Sequence, residues 1–283
     1  MPKSQKPYVI ERIFDQLYDP ATGKLSKTVV TAPEIQEAKR WCNENRGTTI
    51  QLDSNPYNFM KDIVRSSVGR QAWPQKIRDL GWVGRQCTGA TSVFEFVPVD
   101  EEESDTIDFK PTESTPTFPV QSLSLPLASR QLGRKDEPWL LQVTVNLRVV
   151  ETHFAVGENR QIEALEVNHL QMDLKLRTAQ IDALFLAKHS LDDSDTHGSV
   201  LITAEAKQGN QLILKEQIAR QVREAFDATR NDLVIPTAIV GVRNKGIYIV
   251  EFKAVHRSEA KDFKTPVFHR DAMFVLHPSV KGI

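Results

Sequence analysis

Apolar and polar positions change rhythm along this chain. Between residues 33 and 81 the apolar positions recur at helical intervals. In PEIQEAKRWCNEN, which opens on Pro33 at a helix start, Ile35, Ala38 and Trp41 or Cys42 share one face. In NPYNFMKDIVRSS, Phe59 aligns with Ile63 and Val64, and RQAWPQKIRDLG forms a third helical stretch that ends at Gly81. WVGRQCTGATSVFEFVPV then holds two short β-like runs around a glycine-containing turn, the pattern of a hairpin. Residues 98–137 carry no such rhythm. After them, WLLQVTVNLRVVETHFAV has apolar residues at near-helical intervals and is predicted as a helix, although its valines also suit a strand. LEVNHLQMDL, TAQIDALFLA and SVLITAEA read as three strands, NQLILKEQIARQVREAFDATR as an amphipathic helix, and VIPTAIVGV and GIYIVEFKAV as two further strands. The order from 138 onward is α, β, β, β, α, β, β.

These breaks predict an α+β chain of two domains, 1–97 and 138–283, joined by a linker at 98–137. Its length of 283 residues suits that division. The middle segment is acidic and rich in Pro, Ser and Thr, so it reads as exposed. Helix, helix, helix, hairpin in the first domain resembles a winged helix-turn-helix module, whose last helix commonly enters a major groove while the wing touches backbone. Arg65, Arg70, Lys76, Arg78 and Arg85 fall on the second and third helices and the wing, where they could neutralise phosphates.

Charge sharpens this picture. The chain carries 36 basic and 37 acidic residues, a net charge of −1 that on its face argues against a nucleic-acid partner. By segment, basic against acidic residues number 14 to 10 in 1–97, 4 to 9 in 98–137 and 18 to 18 in 138–283, so the neutrality is an average. The longest apolar runs, such as IYIV and ALFLA, fall far short of the roughly 20 residues of a membrane span. The start, MPKSQKPYVIERIF, lacks the apolar stretch of a secretory signal, so a cytoplasmic location in a bacterial or phage setting is expected. Only Cys42 and Cys87 are present, which leaves metal binding to oxygen or histidine. No GxxxxGK[ST] phosphate loop occurs, so no nucleotide cofactor is expected.

The candidate chemistry lies in the second domain. Asp182 sits mid-strand in IDALF, and Glu205 and Lys207 close the next strand in TAEAK, two apart and therefore on one face. If the two strands are neighbours, Asp182 meets them. Adjacent carboxylates repel unless a cation neutralises them, and hard oxygen ligands select Mg²⁺ or Mn²⁺. A lysine beside that cation can orient a water for attack on phosphorus. Glu-x-Lys occurs four times in the chain; Glu37/Lys39 lies in a helix, Glu259/Lys261 in a polar loop, and Glu251/Lys253 on a strand with no suitable Asp-bearing strand before it. Context singles out Glu205 and Lys207. On the following helix Gln217 and Gln221, four apart, border the apolar face formed by Leu214, Ile218, Val222 and Ala225.

QIDALFL, then VLITAEAKQ, then a helix, resembles the PD-(D/E)XK nuclease superfamily over residues 140–254, with Ile181 standing where that motif has proline. The resemblance implies a restriction-endonuclease-like αβββαβ core in which Asp182 and Glu205 bind Mg²⁺ and Lys207 completes the site. It also implies a further carboxylate on the preceding helix, for which Glu151 is the first candidate and Glu163 and Glu166 the alternatives. Gln217 and Gln221 would reach the metal site or a phosphate oxygen. The function so implied is that of a type II restriction enzyme: Mg²⁺-dependent, sequence-specific hydrolysis of double-stranded DNA by a homodimer. A repair or mobile-element nuclease of the same superfamily, and a non-catalytic DNA-binding regulator, are the alternatives.

Overall fold

In the computed structural model the chain combines a large mixed sheet with several helices, an α+β architecture, and its contacts divide it into two compact units, Met1–Thr106 and Ile107–Ile283. The structure describes residues 4–60, 63, 73–87, 92–99, 106–107, 109–177, 179–191, 194–209 and 211–283. Among the described residues no helix is long and apolar enough to cross a membrane.

The first unit begins with a helix absent from the reading above, α1 (Lys6–Leu17), which buries Val9, Ile10, Ile13 and Phe14 along one stripe. Strand β1 (Val29–Thr31) leads into α2 (Ala32–Asn45), which is the helix expected from PEIQEAKRWCNEN. Thr31 and Glu34 cap it reciprocally, and it buries Ile35, Ala38 and Cys42. The second expected helix starts as a 3-10 turn at Pro56–Asn58; most of its remainder, with Arg65, lies outside the described residues, as does Arg70 at the start of the third. Of the third, the described residues form α3 (Gln75–Asp79), with Pro74 at its N-cap, where a residue without an N–H costs no helical hydrogen bond. The hairpin forms as expected from β2 (Trp82–Gln86) and β3 (Ser92–Pro98), and the sheet order is β1-β3-β2.

The second unit corrects the linker. Residues 107–137 belong to it and are held by its core. Strand β4 (Thr117–Gln121) pairs in parallel with the last strand of the sheet, Phe118 stacks on Phe274, and Phe109 packs on Phe252 and Phe268. Leu125 is buried and Ser122 donates to the Pro278 carbonyl at 2.5 Å. The segment looked like a linker because an edge strand with one packed face needs only alternate apolar residues, here Phe118 and Val120, among polar ones. Helix α4 (Leu127–Leu132) follows it.

The predicted helix at 139–156 is two helices, α5 (Glu137–Asn146) and α6 (Val149–Ala155), broken at Arg148, whose φ of 52° is left-handed. Three long strands come next, β5 (Ala164–Lys175), β6 (Gln180–Leu191) and β7 (Ser194–Gln208), and then α7 (Lys215–Ala228), β8 (Leu233–Val242), β9 (Gly246–Phe252) and β10 (Phe268–His277). The sheet order is β4-β10-β9-β8-β7-β6-β5, with β7 and β8 parallel and β5, β6 and β7 antiparallel neighbours. A short strand, Val255–His256, also pairs with β8. Alternation along the strands sorts two cores. Phe185, Ile202, Ile235 and Ile249 pack with α5 and α6, whereas Leu184, Leu201, Val234 and Tyr248 lie among the clusters that include α7 residues.

Candidate active site

Three neighbouring elements bring the predicted side chains together. The β6–β7 ladder ends at Ala183 opposite Ala204. Just beyond it, Asp182 Oδ2 accepts the Ala206 N–H at 2.8 Å, a side chain taking the place of a strand carbonyl. Glu205 and Lys207 leave β7 from one face and meet: Lys207 Nζ donates to Glu205 Oε1 and, at 3.0 Å, to the Ala206 carbonyl. Helix α7 covers that face with Ile218, Val222, Ala225 and Phe226, which sets its two glutamines over the strand end. Gln217 donates to Glu205 Oε1. Gln221 donates to Glu205 Oε2 and, at 2.9 Å, to the Gln180 carbonyl. Glu205, Lys207 and Gln221 are each no more than 1% exposed.

A fourth charged group was missed from sequence. Glu137, in the first turn of α5, lies 3.6 Å from Lys207 Nζ. Asp136 caps that helix by accepting the Trp139 N–H at 3.0 Å, and Gln208 Nε2 donates to the Asp136 carbonyl at 3.2 Å, which ties the helix start to the end of β7. The sequence signal was the Asp-Glu-Pro triplet of a helix N-terminus, with an acidic residue in the first turn. Glu151, the expected helix carboxylate, is on α6 and makes no bond to the cluster. Its half-buried carboxyl is pushed up by burial, and its Oε2 has no partner among the described residues. Of the alternatives, Glu166 pairs with Lys188 at 3.6 Å and neither it nor Glu163 bonds the cluster.

The electrostatics of the site are unbalanced. Burial, and after it the neighbouring Glu205, push the Asp182 carboxyl from 3.8 to about 7, against the opposing pull of the Ala206 N–H and Lys207. Burial works against the Lys207 ammonium, yet Glu205, Glu137 and Asp182 outweigh it and hold its pKa above the ordinary value. Three carboxyl groups thus face one ammonium. Among the described residues no group of three or more His, Cys, Asp or Glu side chains is arranged to hold a metal ion. The donor set nevertheless fits a hard divalent cation of the Mg²⁺ type, which keeps most of its waters and takes only one or two carboxylates. Asp182 and Glu205 offer hard oxygens in a pocket with surplus negative charge, and Gln217 Oε1 is a buried acceptor with no partner among the described residues.

This imbalance predicts a pH signature. Because the folded pKa of Asp182 is raised, its stabilising contribution is complete below about 4 and is lost as pH rises through about 7. The span from 3.8 to about 7 corresponds to about 4 kcal/mol. Urea unfolding in EDTA should therefore show the wild type losing about that much stability between pH 4 and 8 relative to Asp182→Asn. Mg²⁺ should remove most of the difference. An identical pH profile for the two proteins in EDTA would refute the assignment of the shift to Asp182.

The remaining candidates are scattered. In the first unit Lys76 pairs with Asp15 at 2.7 Å and Arg85 with Glu95 at 2.7 Å, so both cations have carboxylate partners within the unit; Arg78 lies on α3. The rival triplet resolves into a structural role: Lys253 is exposed, and Glu251 is buried against His153, Gln161 and Arg270. No known family model matches the sequence, and no curated protein compared with it does.

Proposed function

We propose that this protein is a Mg²⁺-dependent endonuclease of double-stranded DNA, of the PD-(D/E)XK type and similar to type II restriction enzymes. The observation that carries this reading is the buried Glu205–Lys207 pair beside Asp182, with three carboxyl groups around one ammonium. Asp182 and Glu205 would hold the cation; Mn²⁺ would serve in its place. Bound there, the cation supplies Lewis acidity and lowers the pKa of coordinated water. Lys207, with its ammonium fixed by Glu205, the Ala206 carbonyl and Glu137, orients the attacking water toward phosphorus. Attack in line with the leaving 3′ oxygen forms one P–O bond and breaks another, leaving a 5′-phosphate and a 3′-hydroxyl. Gln217 and Gln221 keep the Glu205 carboxylate in one orientation. Cutting both strands calls for two such sites, so the reading includes a homodimer.

The first unit fits a winged-helix DNA-binding role in this scheme. Its described order of helix, strand, helix, helix and hairpin, with a sheet ordered β1-β3-β2, supports that reading.

Incubation with genomic and plasmid DNA tests the whole. Discrete fragments with ligatable 5′-phosphate ends are expected with Mg²⁺, none with EDTA, and none from Asp182→Ala or Glu205→Ala. Discrete sequence-defined ends support a restriction activity, and ends set by structure or damage support a repair nuclease. Tight duplex binding without cleavage in Mg²⁺ or Mn²⁺ overturns the assignment.

A further inference from the structure

Charge counted by segment hides a local excess that spans the boundary at residue 138. Three segments distant in sequence converge at the end of β7: α4 and the α4–α5 connection with Arg130, Arg134 and Lys135, the β8–β9 turn with Arg243 and Lys245, and the C-terminal segment with Lys281. Backbone bonds fix the convergence. Lys281 N–H donates to the Arg130 carbonyl at 3.1 Å, Trp139 Nε1 to the Lys281 carbonyl at 3.0 Å, and Asn244 N–H to the Ile283 carbonyl at 3.1 Å. The first and last segments cross where only glycine fits. A Cβ on Gly133 would lie 2.0 Å from the Lys281 carbonyl oxygen, and one on Gly282, at φ +93°, would lie 2.1 Å from the Arg134 carbonyl oxygen.

This basic cluster adjoins the candidate active site through Gln208, the residue after Lys207, whose amide donates to the carbonyls of Asp136 and Gly282 at 3.2 and 3.4 Å. Five of the six cations are exposed, and among the described residues none of the six is ion-paired with a carboxylate, in contrast to Lys76 and Arg85 of the first unit. Arg130 adds a buried Nε with no partner among the described residues. Like charges held together at the rim of a site attract a polyanion and pay for their mutual repulsion by neutralising it.

We infer that this cluster is a second DNA-binding surface, in the same unit as the active site, which grips the duplex backbone through phosphates flanking the bond to be cut. The inference rests on the nuclease reading for the identity of its ligand. Its test needs binding alone. Fluorescein-labelled duplex is titrated with full-length protein in EDTA over a series of salt concentrations. Each phosphate contact removed lowers the slope of log K against log salt by about 0.9. Combining Arg134→Ala, Lys135→Ala, Arg243→Ala and Lys245→Ala should reduce the slope by about 2 to 3 and weaken binding at least about tenfold. Lys175→Ala with Lys188→Ala, on β5 and β6, should change neither. An unchanged slope and affinity in the fourfold variant, with its melting temperature retained, would overturn the inference. So would lost affinity for anionic lipid vesicles with duplex binding intact. A reduced slope in a protein that never cleaves DNA keeps the surface and rejects the nuclease, whereas cleavage by the wild type with no change in slope does the reverse.

Discussion

Lys207→Ala is expected to slow Mg²⁺-dependent cleavage by about 10³-fold or more, the scale of losing a positioned proton-handling or charge-stabilising group. Lys207 is 1% exposed, and its ammonium donates to Glu205 and the Ala206 carbonyl with Glu137 3.6 Å away, which leaves one N–H to orient a water. Its removal also strands the fully buried Glu205 carboxylate with only the amides of Gln217 and Gln221, a change of the kind that costs about 3–5 kcal/mol. Lost activity must therefore be separated from lost fold. Lys207→Met keeps the aliphatic stem and its packing, and Mg²⁺ should restore part of the stability by supplying positive charge beside Glu205. The expected pattern is a variant that is folded in Mg²⁺, binds duplex nearly as well as the wild type, and does not cut. Cleavage by folded Lys207→Met at the wild-type rate would remove lysine from the mechanism.

What could be read from sequence was what repeats locally. The strand alternation of VLITAEAK put Glu205 and Lys207 on one face, with Asp182 of QIDALFL meeting them if the two strands were neighbours, and helical spacing put Gln217 and Gln221 together at the border of the apolar face of α7; the shared faces follow from backbone periodicity, whereas the strand pairing came from the structure. Glu137 could not be found this way. It reaches Lys207 only because the start of α5 docks against the end of β7, a contact across 70 residues, and it stood at the edge of an acidic, proline-containing stretch that resembled a linker. Strand β4 was hidden for the same reason, since its partner, β10, lies more than 150 residues away. Helix α1, by contrast, was legible in Val9, Ile10, Ile13 and Phe14, whose spacing is helical. The basic cluster was invisible to segment arithmetic because three of its cations fall in the segment counted as acidic.

The sheet offers an internal control for the carboxylate argument, and it supplies the second large effect. Glu251 shares the face of Ile247 and Ile249, the side covered by α5 and α6, and Glu205 lies on the side covered by α7. Burial pushes Glu251 up, but its bond to His153, the charges of His153 and Arg270 and a bond from Gln161 prevail and hold it below the ordinary glutamate range. Here the protein provides its own cation, Arg270, while burial holds the His153 imidazole below its ordinary value and so favours its neutral form. Arg270 donates to Glu251 at 2.7 Å while its other nitrogens clasp the His153 and Val156 carbonyls at 2.8 and 3.1 Å, so the ion pair also pins the end of α6. Glu251→Ala should therefore destabilise the protein by about 3–5 kcal/mol, because it leaves a largely buried guanidinium without its counter-charge. Arg270→Met combined with Glu251→Met should cost less than the two single changes added together, which a double-mutant cycle in urea would measure. A lowered folded pKa gives stability that is present above about 4.5 and lost as pH falls, so the penalty of Glu251→Ala should shrink on acidification. Asp182 shows the opposite sign, since burial and the neighbouring Glu205 outweigh the one ammonium on its face, Lys207, which is shared with Glu205 and Glu137. Cleavage by Glu251→Ala, measured where the variant is folded, should match the wild type; a loss as deep as that of Glu205→Ala would move the active site to the other face of the sheet.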